Sequence, residues 1–111
     1  MIEIFKALAD ETRLRILSQL LKDEMCVCEI EDCLELTQSN ASRHLTVLKK
    51  AGILESYKKA QWTYYNISDE FKSKNMELYK YLIKMISGLS CYERDSQRFK
   101  KCKANDLCNN K

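Results

Sequence analysis

Six of the 111 residues are cysteine, and three of them fall within the ten residues EMCVCEIEDC, 24–33. The others, Cys91, Cys102 and Cys108, lie in the C-terminal fifth of the chain. Thiolate sulfur is the preferred ligand for soft ions, and neighbouring thiols can also store a redox signal as a disulfide. The spacings C-x-C, C-x4-C, C-x10-C and C-x5-C match no zinc ribbon or finger. No CxxC follows a strand, which argues against a thiol oxidoreductase, and the thiols are dispersed among well-patterned helices, which argues against a metal buffer. No enzymatic activity is expected.

Cys26 and Cys28 are two residues apart, so a regular helix would point them ~200° away from each other. They can share one ion only if Cys26 lies at or before the helix start, and Met25-Cys26 follows a polar turn that fits this condition. Cys33 is ~7.5 Å along the axis from Cys28 and ~140° around it. It neighbours Ile30 and Leu34, so it reads as a packed structural cysteine and as the poorer ligand.

The elements that must position these thiols follow from the apolar spacing. The absence of Pro and the presence of only two Gly favour a helical fold. Ile2–Leu8 forms a short apolar helix. Asp10 caps a second one over 11–22, with Leu14, Leu17 and Leu21 on one face. Val27, Ile30 and Leu34 mark a third, near 27–35. Thr37 caps a fourth over 38–51, closed at Gly52. The runs 53–58 and 62–67 read as a hairpin, whose turn lacks the Gly or Asn of a tight primed turn. A long helix is expected from Glu70 to Leu89, with Tyr79, Leu82, Ile83, Ile86 and Leu89 as one stripe that wants a second copy of the chain. The whole is mainly α with a β-hairpin: a winged helix-turn-helix, homodimeric through its terminal helices. Residues 1–90 make the DNA-binding and dimerisation domain, and 91–111 a cysteine-containing tail, a loose helix or partly disordered.

Charge supports that architecture. Residues 1–37 carry 4 Lys/Arg against 9 Asp/Glu, whereas 38–61 carry 5 against 1. In the fourth helix Ala41, Leu45 and Leu48 face inward. Ser39, Ser42, Arg43 and Thr46 form a short polar face suited to base edges and phosphates. Gln38 and Lys50 at its ends join the expected DNA contacts, and Lys58 and Lys59 on the wing would hold phosphates. The chain opens on MIEIFKALADETRLRIL, an amphipathic pattern with acids in it, so no export signal is expected. No apolar run approaches the ~18 residues of a membrane span. A soluble, cytoplasmic protein without membrane contact is expected, where thiols stay reduced.

The runs LADETRLRIL, EMCVCEI, LTQSNASRHLTVLKKAGIL and WTYYNIS resemble the ArsR/SmtB family of bacterial metal-responsive repressors over roughly residues 4–90. CVCEI just before the helix-turn-helix resembles the arsenic- and cadmium-sensing branch. The resemblance implies a homodimeric repressor on an inverted-repeat operator in double-stranded DNA. Release would follow capture of As(III) or Sb(III), or next Cd(II) or Pb(II), by thiolates at the third helix, with no organic cofactor. It also counts His44, in SRHL, with the DNA-reading segment; packing at the edge of the motif is the competing role. The sequence departs from the CxCxxC of self-contained arsenic sites, because Glu31 stands at the third position. A third sulfur would therefore come from Cys91, Cys102 or Cys108, by analogy with relatives that use thiols from chain ends. The His and carboxylate site of zinc sensors is missing from residues 70–90, which contain no His. The same fold released by oxidants or reactive sulfur through a cysteine pair is the alternative.

Overall fold

The structure, a computed structural model, describes residues 1–88 together with Arg94, Asp95 and Gln97. The elements run α1 (Ile2–Leu8), α2 (Glu11–Leu20), β1 (Met25–Cys26), α3 (Val27–Leu34), α4 (Gln38–Lys50), β2 (Leu54–Lys59), β3 (Trp62–Ile67), α5 (Asp69–Lys74) and α6 (Met76–Ile86). Short polar side chains start three of the helices, two of them, at Asp10 and Thr37, where the sequence places them. Asp10 accepts the Arg13 N–H at 3.1 Å, Thr37 the Asn40 N–H at 3.2 Å, and Ser68 the Phe71 N–H at 3.3 Å. Each satisfies one of the amides that a helix start leaves without an internal partner.

Gly52, at φ 82°, stops α4 as expected. Its N–H and that of Ile53 return to the carbonyls of Lys49 and Leu48 at 3.0 and 3.1 Å, the two bonds of a Schellman closure. The core lies beneath α2, α3 and α4, where Ile16, Ile30, Leu45, Leu48 and Ile53 are wholly buried. Burying each such side chain contributes roughly 1.5–3 kcal/mol, and together they fix how α4 sits on α3.

Three features differ from the sequence reading. The single helix expected over 70–89 is two helices, broken at Asn75 with φ −127° and ψ 45°. The break turns Phe71 into the core, where Tyr79 meets it edge-on at 6.4 Å. The apolar stripe divides accordingly: Leu82 and Ile86 are buried in the chain's own core, whereas Ile83 is exposed and Leu89 lies outside the described residues. Secondly, the hairpin is part of a three-stranded antiparallel sheet in the order β1-β3-β2. A two-residue strand is too short to leave an alternation in the sequence. Thirdly, β2 and β3 are joined by a tight turn at Ala60-Gln61, with Ala60 held at φ 58°.

The cysteine-containing tail at 91–111 lies largely outside the described residues, but one contact from it is clear. Asp95 is fully buried, and its carboxylate takes two bonds from the Arg15 guanidinium of α2, at 2.9 and 3.0 Å. Such a two-pronged pair is strong and directional. Among the described residues no helix is long and apolar enough to cross a membrane.

Candidate functional site

The site is built where β1 becomes α3. Cys26 is the N-cap of α3, with extended backbone angles of φ −72° and ψ 151°, and Cys28 is already in the first turn. The change from strand to helix cancels the angular separation that a continuous helix would impose. The two sulfurs accordingly lie 3.0 Å apart. A capping box holds the junction: the Glu29 carboxylate accepts the Cys26 N–H at 2.9 Å, and the Cys26 sulfur faces the Glu29 amide.

Cys26 is a free thiol and wholly buried, whereas Cys28 is half-buried. Burial pushes the Cys26 thiol above its ordinary pKa; the amides of Cys28 and Glu29 pull it down, and the Glu29 and Glu31 carboxylates add to the rise. A buried thiol of this kind is poorly reactive until something stabilises its thiolate. Cys28 and Cys33 are disulfide-bonded. At five residues apart on one helix they are too far separated to be bonded to each other. Cys28 can therefore only accept, and the Cys26 S–H donates to it. Cys33 is fully buried on the packed side of α3, where the spacing places it. Among the described residues no group of three or more His, Cys, Asp or Glu is arranged to hold a metal ion. Cys91, Cys102 and Cys108 lie outside them.

Two structures flank the thiols. Behind them α3 packs on α4, whose Gln38, Ser39, Ser42, Arg43, Thr46 and Lys50 are all exposed, as the spacing requires. The Thr46 hydroxyl donates to the Ser42 carbonyl at 2.8 Å. Arg43 reaches Asn40 at 3.4 Å. Lys49 Nζ donates to Ser56 Oγ at 2.7 Å and so fastens α4 to β2. Lys58 and Lys59 are exposed on the wing.

His44 is buried, which is the packed placement. Its Nδ1 lies 3.2 Å from an Arg13 nitrogen and its Nε2 3.4 Å from Arg43. Both arginines are donors only, so a neutral ring accepts from one of them. Burial lowers the His44 pKa; Asp10 opposes that, and the charges of Arg43 and Arg13 add to it. The sequence reading missed Arg13. Its guanidinium also donates to the carbonyls of Ala7 at 2.6 Å and Lys6 at 3.2 Å, closing the end of α1. Its signal would have been a cation three residues beyond a helix cap, which is easily taken for a surface charge.

The other flank is the wing. Cys26 and Tyr64 form a small cluster of their own, with Val27, Cys28 and Trp62 packed against it. The run 62–67 reads as a hairpin strand, and that pattern does not reveal that the surface on which Trp62 and Tyr64 pack carries the thiol.

Comparison with known proteins agrees with this architecture. A family model described as bacterial regulatory protein, arsR family, matches residues 10–56. The chain is similar to the arsenic resistance transcriptional regulator ArsR1 of Pseudomonas putida, at 47% identity over 60% of this chain and 53% of that sequence. It thus spans about half the length of that relative. It is also similar to an HTH-type transcriptional regulator of Methanocaldococcus jannaschii, at 49% identity over 61% of this chain and 78% of that one. Among solved structures, a homodimeric winged helix-turn-helix DNA-binding domain from Mycobacterium bovis superposes with a TM-score of 0.65. The identity there is 27%, over 80% of this chain and 83% of that one.

Proposed function

This chain belongs to the arsR family of bacterial regulatory proteins, and from that premise we propose a homodimeric repressor that leaves its operator when a soft ion is captured by Cys26 and Cys28. The carrying observation is the 3.0 Å approach of the two sulfurs at the N-cap of α3. Once Cys28 is reduced, two sulfurs brought together at that point can share a single soft ion, and they sit on the helix that braces α4. As(III) or Sb(III), with three sulfurs, is favoured over Cd(II) or Pb(II). The third sulfur comes from Cys91, Cys102 or Cys108. Capture requires Cys28 in its reduced form.

The exposed face of α4, from Gln38 to Lys50, enters the major groove. Lys58 and Lys59 rest on the flanking phosphates. Alanine at either lysine is expected to weaken binding evenly across sequences and to lower the salt slope by about 1. The apolar side chains left outside, Met1, Ile2 and Phe5 at one end with Met76, Tyr81 and Ile83 at the other, support a two-fold dimer. Met1 and Met76 line one shallow depression. The two chains' α4 helices would then meet successive grooves of an inverted repeat.

The test is anaerobic fluorescence anisotropy of the reduced protein on the duplex upstream of its own gene, titrated with arsenite, antimonite, cadmium and lead. Release that disappears in Cys26→Ser/Cys28→Ser supports the reading. Equal release in the double variant, or no duplex binding, overturns it.

The disulfide state of Cys28 and Cys33 favours a second reading with the same output. Two thiols would lose two protons and two electrons to a peroxide or polysulfide and form the bond. Release by polysulfide alone, reversed by dithiothreitol, would select it.

A further inference from the structure

The thiol pair faces the wing more directly than it faces α4. β1 is paired with β3, with Met25 opposite Tyr65 and Cys26 opposite Tyr64. Residues directly opposite in an antiparallel ladder share a sheet face. On the far side of β3, Tyr57 of β2 is opposite Tyr64, and Lys59 is opposite Trp62. One face of the sheet therefore carries Cys26, Tyr64 and Tyr57 in a row across three strands, with Trp62 and Lys59 beside them. The row is in contact: Tyr64 is buried against Cys26, and its ring stacks on Tyr57 with centroids 5.6 Å apart and planes 15° from parallel. Tyr57 closes the circuit. Its hydroxyl donates to Glu24 Oε2 at 2.5 Å, two residues before Cys26.

The route to α4 is of another kind. From Cys26 it runs through Ile30 and Leu34 of α3 to Leu45 and Leu48, all within the close-packed main core. Such packing resists small displacements. The row on the sheet rests on a satellite cluster with two buried members, Cys26 and Tyr64.

We propose that Tyr64 is the positioning residue through which the state of Cys26 and Cys28 sets the wing, so that inducer release begins with loss of the wing's grip on DNA rather than with movement of α4. An ion held between the Cys26 and Cys28 sulfurs, which lie 3.0 Å apart, changes how the Cys26 sulfur packs against Tyr64. The stacked Tyr57 follows, and with it the strand that carries Lys58 and Lys59. The inference rests on the soft-ion reading for the identity of the inducer.

The test follows hydrogen exchange of residues 54–67 and of α4 in the reduced full chain, with and without arsenite or cadmium chloride, alongside anisotropy on the duplex. Tyr64→Leu keeps an apolar side chain there and removes the stacking ring. In the unaltered protein, arsenite is expected to speed exchange in the wing and leave α4 unchanged, while weakening duplex binding by about tenfold. In Tyr64→Leu the thiols should still be consumed, as counted by their loss to a thiol reagent. Duplex binding without arsenite should stay within about threefold of the parent, and arsenite should release it by less than about threefold. Full release in Tyr64→Leu with thiols consumed, or exchange rising first in α4, overturns the proposal. If Tyr64→Leu does not fold, Tyr57→Leu breaks the same row one ring further out, at an exposed position, and is held to the same outcomes. If arsenite is captured by the parent without release from DNA, the repressor reading fails. The exchange data then decide the link alone: a wing response lost with Tyr64 supports it, and no wing response overturns it.

Discussion

Two packed regions of this molecule, the main core and the small cluster under the wing, are built to different standards. The core draws on every helix and on Met25, Leu54 and Ile67 of the strands, and holds the inner face of α4, where Ala41, Leu45 and Leu48 have no exposed surface. The cluster under the wing has two buried residues, Cys26 and Tyr64, with half-buried neighbours around them. Local stability follows the number of buried apolar contacts. The face of α4 proposed to read DNA is thus mounted on the main core, whereas Cys26 sits in the smaller cluster, where few buried side chains surround it.

The strongest way to break that contrast is to weaken the heavy side. Leu45→Ala leaves a cavity beneath α4 and is expected to cost roughly 3 kcal/mol in urea unfolding. An effect below about 1 kcal/mol would mean that α4 is no better anchored than the wing. Next comes the tether from beyond α6. Asp95→Ala leaves the Arg15 guanidinium largely buried without its carboxylate and should cost about 2 kcal/mol, with little dependence on salt. An unchanged melting temperature would show that the contact does not hold the tail segment to α2.

Asp10→Ala removes a cap and should cost about 1 kcal/mol at neutral pH. Burial pushes the Asp10 carboxyl up, but the Arg13 amide, the charges of Arg13 and His44 and the Thr12 amide outweigh it, so its pKa is lowered below 3.8. A depressed carboxyl stabilises the fold above its unfolded pKa and ceases to do so as pH falls through the folded one. The gap between parent and variant should therefore close in strong acid. His44, also lowered, works in the same direction from pH 6.5 downward, since the unfolded chain takes up its proton first. His44→Gln should flatten that part of the stability profile.

The smallest effects lie in the wing and sharpen the contrast. Ala60 adopts a left-handed φ that costs an ordinary residue roughly 1 kcal/mol. Ala60→Gly, with its larger entropy loss on folding, should still gain about 0.5 kcal/mol. Tyr57 reports on the row directly. Its hydrogen bond to Glu24 raises its pKa to about 12. An ultraviolet titration should find that phenol returning toward its ordinary value in Glu24→Gln, and no change would separate Tyr57 from Glu24.

Much of this was legible in the sequence, for identifiable reasons. The caps at Asp10 and Thr37, the stop at Gly52 and the inner face of α4 depend on neighbours within four residues, so local pattern reveals them. The nearness of Cys26 to Cys28 was legible as a condition, since it needed only that Cys26 precede the helix. The break at Asn75 was hidden because the residues on either side keep a helical apolar rhythm. β1 was hidden because two residues carry no period. The link from Cys26 to Tyr64 joins positions 38 residues apart, and the clamp of Arg13 on His44 joins positions 31 apart. Such contacts follow from how helices and strands are assembled, and no local pattern contains them.

The Arg13 guanidinium has a kinematic consequence. It holds the last carbonyls of α1 and the ring of His44 on α4, while its own backbone amide is the one that Asp10 caps at the start of α2. Three helices that share one planar, five-donor group cannot swing independently without losing several bonds at once. They form a single lever that turns as one body.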